Sequence, residues 1–111
     1  MPDNEQGFGS FLKEQISRAK MTQSAFYTAV GITKPYFYDI LSGKTKPPPL
    51  EIQYRMITVL EKKKGKNKES RDAFLNMAAK GRQEIPVDII ELVKAHPEKW
   101  DIIREALNRL F

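Results

Sequence analysis

The stretch TQSAFYTAVGITKPYFYDILSGKTKP, residues 22–47, decides the fold of this chain. Thr22 can cap a helix in which Phe26 and Val30 lie on one face, because residues four apart are neighbours on a helix surface. Gly31 can take the left-handed conformation that ends a helix. The pattern predicts a helix of about two turns.

A second short helix is predicted directly after this turn. Thr33 is its cap candidate, and Pro35 is tolerable because it stands in the first turn, where a missing N–H is no loss. Gly43 ends the helix. Two short helices joined by a tight glycine turn are typical of the helix-turn-helix motif. Their shared apolar set is Phe26, Val30, Ile32, Phe37 and Ile40.

Helices are also predicted on both sides of this pair. Ser10 is the cap candidate for a helix from about Phe11 to Ala19. Prolines at positions 47, 48 and 49 exclude a helix, so residues 44–49 form a stiff basic loop. Leu50 to about Lys63 has apolar residues at helical spacing.

The rest of the chain continues in helices. The spacing predicts one from Ser70 to Lys80 that Gly81 stops, and another from Val87 to Ala95. No strand-like alternation competes, so the fold class is all-α. A last helix follows His96-Pro97, and its apolar stripe is Trp100, Ile103, Leu107 and Leu110.

Composition excludes several functional classes. The 111 residues are 41% hydrophobic and 30% charged, and no apolar run approaches the roughly 18 residues of a membrane span. The first residues lack the pattern of a secretory signal, so we expect a cytoplasmic protein that meets no membrane. With no cysteine and a single histidine, His96, we expect no metal, no cofactor and no enzyme. Asp88 and Glu91 share a helical face, but such pairs are ordinarily solvated.

The charge is unevenly distributed. The net charge is +5, with 12 basic and 6 acidic residues in positions 1–68 against 7 and 8 in positions 69–111. A basic surface attracts polyanions, so the first part of the chain is the candidate for contact with nucleic acid.

Residues 22–47 resemble the DNA-binding domain of Cro and the phage repressors, the XRE family. With the flanking helices the resemblance covers about residues 8–63. It implies a lambda-repressor-like helix-turn-helix DNA-binding domain over residues 8–64, followed by a C-terminal helical extension over residues 69–111. The matching residues are Thr22, Gln23, Phe26, Val30, Gly31, Ile32, Thr33, Ile40, Ser42, Gly43, Lys44, Thr45, Lys46 and Pro47.

Two places depart from the family pattern. Tyr27 stands where the family usually has a small residue, so the two helices must either open slightly or swing this ring outward. The end of the first helix, residues 17–20, lacks the usual arginine-rich character, and the resemblance therefore supports no phosphate contact there.

The resemblance also implies a DNA interface. Gln23 would meet a phosphate and brace a base-reading side chain. Lys34 can donate to guanine O6 and N7, whereas Asp39 can accept only from cytosine N4 or adenine N6. The residues facing the major groove would be Thr33, Lys34, Pro35, Tyr36 and Asp39, and those clamping the sugar-phosphate strand would be Lys44, Thr45 and Lys46.

Each of these residues has a structural alternative. Lys34 is otherwise a solvated first-turn lysine, and Asp39 otherwise forms a salt bridge or opposes non-cognate DNA. At least one of Tyr36 and Tyr38 must be exposed, and we predict that it is Tyr36. The lysine run at residues 62–68 is either a solvated linker or a further phosphate contact.

These observations favour a transcriptional regulator, a repressor by family expectation, that binds a two-fold operator on double-stranded DNA as a homodimer. The stripe of Trp100, Ile103, Leu107 and Leu110 is the candidate dimer seam, and its alternative role is to cover the protein's own core. The leading rival is an antitoxin-like or phage-encoded adaptor that holds a protein partner through its C-terminal helices. A regulator with an effector pocket in that region ranks lower, since no convergent polar set is visible there.

Overall fold

The computed structural model describes residues 7–111, and it is built from helices alone over that range. This agrees with the predicted all-α fold class. A 3₁₀ turn at Pro97–Lys99 joins the last two helices. The α-helices are α1 Phe8–Arg18, α2 Gln23–Val30, α3 Lys34–Ser42, α4 Leu50–Lys64, α5 Lys68–Arg82, α6 Val87–Ala95 and α7 Trp100–Leu110.

The helix pair α2 and α3 has the caps that the sequence predicts. Thr22 Oγ1 accepts a backbone hydrogen bond of 3.0 Å, and Thr33 Oγ1 accepts one of 3.3 Å, each from the N–H three residues further on. Gly31 and Gly43 end the two helices in the left-handed conformation, with φ of +85° and +80°. Local sequence chemistry is therefore enough to set the ends of both helices.

The predicted start of α1 is wrong. The helix begins at Phe8 rather than Phe11, and its N-cap is Gly7, not Ser10. Phe8 is buried and its ring meets Phe74 edge-on, with centroids 5.4 Å apart. Burial of this ring stabilises an extra helical turn that the capping pattern did not reveal.

The predicted bounds of α5 are also wrong at both ends. The helix starts at Lys68, where Asn67 is the cap, and runs through Gly81 to Arg82. Gly81 does not stop the helix, because it stands where α5 approaches the basic loop. A Cβ at this position would lie 2.6 Å from Pro47 Cγ.

The hydrophobic core lies among α1 to α5. Ile32, predicted to join it, is only half-buried. The division into residues 8–64 and 69–111 stays a prediction about function, since packing joins α5 to the same core as α1 and α4. The large apolar side chains of this core are Phe8, Phe11, Leu12, Ile16, Phe26, Val30, Phe37, Ile40, Met56, Ile57, Leu60, Phe74 and Leu75.

The C-terminal arm, defined here as residues 87–110, lies outside this core. Neither α6 nor α7 has a buried residue, although Val87 packs partly against the core. Trp100 Nε1 donates a 2.7 Å hydrogen bond to the Val93 carbonyl and ties the two helices together. The radius of gyration of 16.0 Å exceeds the roughly 13 Å of a compact chain of this length, consistent with a projecting arm. None of the described helices has the length and apolar character needed to cross a bilayer.

The close approach of α1 to α3 gives a first test. A Cβ at Gly9 would overlap the Leu41 carbonyl and lie 2.9 Å from the Ile40 carbonyl oxygen. We therefore expect Gly9→Ala to destabilise the protein by about 1–3 kcal/mol, although the same change stabilises an unpacked helix. Thermal unfolding followed by circular dichroism measures the difference.

Ser10→Ala is the matched control. Ser10 lies inside α1, whose N-cap is Gly7. The melting temperature of the Ser10→Ala variant should therefore stay within about 2 °C of that of the wild type. A loss of about 1 kcal/mol for Ser10→Ala would mean that Ser10 is the cap after all.

Candidate nucleic-acid interface

The first turn of α3 is an exposed polar surface. Thr33, Lys34 and Pro35 are all exposed, and the threonine caps the helix through its hydroxyl. The exposed N-terminal end of a helix carries backbone N–H groups and a partial positive charge, which favour anions. Gln23, at the first position of α2, is half-buried. Both helix starts thus keep the polar residues predicted for them.

The two tyrosines of α3 differ from the prediction. Tyr36 is half-buried and packs against the core, whereas Tyr38 is 40% exposed. Asp39 is half-buried, and its backbone carbonyl accepts hydrogen bonds from the Thr45 N–H and the Ser42 hydroxyl. Tyr38, not Tyr36, is therefore the more exposed aromatic side chain of this helix.

Tyr27 is accommodated by an aromatic cluster between α2 and α3. Its ring lies 5.3 Å from Phe37 and 6.4 Å from Tyr38, measured between centroids. The ring of Phe26 also lies near Phe37, with centroids 6.0 Å apart. The Tyr27 ring is half-buried against α3 rather than turned into solvent.

Arg55 braces the turn between α2 and α3. Its Nη1 atom donates a 3.1 Å hydrogen bond to the Val30 carbonyl, one of the last carbonyls of α2. A Cβ at Gly31 would lie 3.2 Å from the same Nη1 atom. No local sequence pattern indicates this contact, because the two partners are 25 positions apart.

The basic loop at residues 44–49 is anchored at several points. Lys44 and Lys46 are exposed, whereas Pro47 and Pro48 are buried. The Thr45 N–H donates to the Asp39 carbonyl at 3.2 Å, which ties the start of the loop to α3. The loop therefore presents two lysines from a fixed backbone.

Two side chains outside the loop hold its prolines. Arg82 Nη1 donates to the Pro47 carbonyl at 3.0 Å, and Gln53 Nε2 donates to the Pro48 carbonyl at 2.8 Å. Neither residue was predicted to take part in the interface. Proline has a backbone carbonyl that accepts hydrogen bonds but no backbone N–H. The sequence alone does not reveal which distant residue donates to such a carbonyl.

A groove of about 460 Å³ runs between this loop and the first turn of α1. Lys44 and Lys46 line it on the side of the loop, and residues 7–10 line it on the side of α1. Among residues 7–111, no side chain that lines it is a carboxylate. Lysine charges beside a helix N-terminus favour a negatively charged group such as a phosphate.

The lysine run at residues 62–68 is only partly available to a ligand. Lys64 Nζ donates to Gln15 Oε1 at 2.6 Å, and burial, followed by the charge of Arg18, lowers the pKa of Lys64. Lys68 pairs with Asp72 at 2.7 Å, and this hydrogen bond raises its pKa. The remaining lysines of the run are exposed.

The candidate dimer stripe on α7 is not covered by the protein's own core. Trp100, Leu107 and Leu110 are 45%, 49% and 72% exposed, and Ile103 is half-buried. The alternative that this stripe completes the core is therefore wrong. Its exposure follows from the few contacts of the arm with the rest of the chain.

Among residues 7–111, no group of three or more acidic or histidine side chains is arranged to hold a metal ion. Comparison of the chain with protein-family models, with curated proteins and with solved structures found no match. The resemblance to the XRE family consequently stays a prediction, and the function is inferred from this chain's own residues.

The anchoring of the basic loop leads to a second prediction. Arg82→Ala removes the donor to the Pro47 carbonyl, so the loop should open more often. We expect the Thr45 backbone N–H to exchange with solvent about tenfold faster, as for the loss of one hydrogen bond of about 1.4 kcal/mol. Hydrogen exchange followed by NMR measures this rate.

Arg104→Ala is the control for Arg82→Ala. Arg104 is exposed on the arm and pairs with its helical neighbour Asp101. Its removal should leave exchange at Thr45 unchanged. Equal protection of Thr45 in the Arg82→Ala variant would contradict the anchoring role.

Proposed function

We propose that this chain is a sequence-specific DNA-binding regulator of transcription with a lambda-repressor-like helix-turn-helix domain of the XRE type. The observation that supports it most directly is the anchored basic loop beside α3. Two exposed lysines on a braced backbone line a groove in which none of the described lining residues carries a carboxylate, and this groove lies at the end of α3 opposite its exposed, polar first turn. Phosphate contacts of this kind position a protein on DNA, and the adjacent helix reads bases.

In this proposal α3 enters the major groove. Lys34 reads guanine, Asp39 accepts from cytosine or adenine, and Thr33 and Pro35 face the same groove. Tyr38 joins them as a candidate, since its ring is more exposed than that of Tyr36. The base-reading surface is a short one, so affinity depends strongly on the phosphate contacts.

The lysines of the loop and the start of α2 hold the sugar-phosphate strand. Lys44 and Lys46 supply charge, the Thr45 region supplies backbone geometry, and Gln23 meets a neighbouring phosphate. Two copies of the chain on a two-fold operator block access to a promoter, which makes the regulator a repressor. No cofactor or metal takes part.

The function is tested by selecting bound sequences from a random duplex pool with the full chain. The expected result is one enriched motif with two-fold symmetry. Recovery of an unenriched pool, at salt concentrations where the protein still binds, would mean that binding is not sequence-specific.

A third prediction concerns the loop lysines. Each neutralised phosphate contributes about −0.9 to the slope of log K against log salt, so Lys44→Ala and Lys46→Ala should each flatten that slope by about one. The preference for the selected sequence over random DNA should not change. Fluorescence anisotropy of a labelled duplex between about 50 and 200 mM salt measures both.

Lys99→Ala is the control for the loop lysines, since Lys99 lies in the 3₁₀ turn of the arm. Its slope should match the wild type. Affinity that does not depend on salt in the wild-type protein would defeat the proposed function.

A fourth prediction separates base reading from phosphate contact. Lys34→Ala should weaken binding to the selected site by about 1–3 kcal/mol and binding to random DNA much less. Lys13→Ala, an exposed lysine on α1, is the matched control and should change neither. Equal losses for Lys34→Ala on both DNAs would assign Lys34 to a phosphate.

A second candidate function is favoured by the exposed apolar residues of the arm. Eight large apolar side chains in residues 85–111 are exposed, more than an isolated regulator needs. An adaptor that binds a protein through this arm would carry such a surface. It would show no sequence preference on duplex DNA, and any binding that it retained would be the weak, salt-dependent attraction of a basic surface for phosphates.

A further inference from the structure

The exposed stripe on α7 has a symmetric spacing. Its residues are Trp100, Ile103, Leu107 and Leu110, separated by three, four and three positions. Reading the helix in the opposite direction gives the same intervals. A helix with such a stripe meets an antiparallel copy of itself with every apolar position matched.

We propose that α7 pairs antiparallel with α7 of a second copy of this chain, about a two-fold axis between Ile103 and Leu107. Trp100 then lies level with Leu110 of the second copy, and Ile103 lies level with Leu107. A two-fold interface uses the same patch on both subunits, so each contact occurs twice. The proposal deepens the proposed function by supplying the dimer for a two-fold operator, but the pairing itself is measurable without DNA.

The exposed area suits a dimer. Trp100, Leu107, Leu110 and Phe111 are 45%, 49%, 72% and 96% exposed. At about 150–250 Å² for each large side chain, the stripe together with the neighbouring Phe111 exposes on the order of 500 Å² per copy, so a symmetric pair buries at most on the order of 1,000 Å² in total. This area lies below the roughly 1,200–2,000 Å² of a stable interface and fits a weak dimer that DNA strengthens.

A shallow groove beside the stripe can receive side chains of the second copy. It has a volume of about 270 Å³ and is lined by Val93, Trp100, Ile103, Arg104 and Leu107. The hydrogen bond from the Trp100 indole to the Val93 carbonyl fixes the ring, so its exposed part is already oriented before association. Preorganised aromatic side chains are frequent anchors of interfaces.

The distribution of charge also favours pairing of two copies through their arms rather than through residues 1–82. Residues 1–82 carry 15 Lys and Arg against 8 Asp and Glu, whereas residues 83–111 carry 4 against 6. On α7 itself Arg104 pairs with Asp101 and Arg109 pairs with Glu105. Two arms can therefore meet with little repulsion, while the basic parts of both copies stay free for DNA.

The pairing is tested by analytical ultracentrifugation of the full chain without DNA, from about 1 to 300 µM. We expect a monomer–dimer equilibrium for the wild type. Leu107→Asp should weaken the dimer by about 100-fold or more, because it places two unpaired charges in the seam. Its melting temperature should stay close to that of the wild type, since Leu107 is outside the core.

Ile102→Asp is the matched control. Ile102 is 70% exposed on the same helix, but it lies about 140° around the helix from Leu107 at 100° per residue. Its dimer should be unchanged. A wild type that stays monomeric throughout, or a dimer that persists in Leu107→Asp, would overturn the proposal and leave the arm to a different protein partner.

The relative direction of the two α7 helices is tested by disulfide formation. The sequence has no cysteine of its own, so only the introduced cysteines can form a disulfide. A Leu110→Cys variant mixed with a Trp100→Cys variant should form a mixed disulfide dimer. Leu110→Cys alone should not, because antiparallel pairing separates its two sulfurs by about 15 Å along the helix axis, beyond disulfide reach. Self-linking of Leu110→Cys would instead mean a parallel pair.

The proposed pairing of α7 and the proposed function can be refuted independently of each other. If Leu107→Asp binds a duplex with one half of the selected motif as the wild type does, DNA binding is independent of the seam. A wild type that dimerises through α7 but enriches no DNA sequence would refute the proposed function and retain the pairing.

Discussion

The contact between Pro47 and the end of α5 is the constraint on which the arrangement of this molecule depends. Gly81 lets the helix approach the proline ring, and Arg82 donates to the proline carbonyl. This contact fixes the basic loop from outside the helix pair α2–α3. It also makes α5 a shared element, since the same helix packs on the core and leads into the arm.

The ends of α2 and α3 follow from local chemistry, and sequence reasoning finds them for that reason. Each helix begins with a threonine whose hydroxyl accepts a hydrogen bond from the N–H three residues further on, and it ends at a glycine with positive φ. The necessary partners therefore all lie within a few positions. The roles of Thr22 and Gly31 can be predicted from the sequence because they depend on no distant residue.

The errors have the opposite origin. Gly81 resembles a helix stop until the neighbouring proline is known, and the start of α1 depends on a ring from α5 that buries Phe8. Arg55 and Arg82 act on carbonyls 25 and 35 positions away. For the candidate site, the sequence therefore predicts the residues that present charge, such as Lys44, but not those that hold their backbone in place.

The position of the single tryptophan has a spectroscopic consequence. Trp100 is half exposed in the arm, while the buried aromatic residues of the core are phenylalanines, which emit weakly and at short wavelength. Tryptophan emission from this protein consequently reports the surroundings of the arm and is nearly blind to the core. The wavelength of its emission maximum and its anisotropy can change while the helical content and the fold of α1 to α5 stay constant.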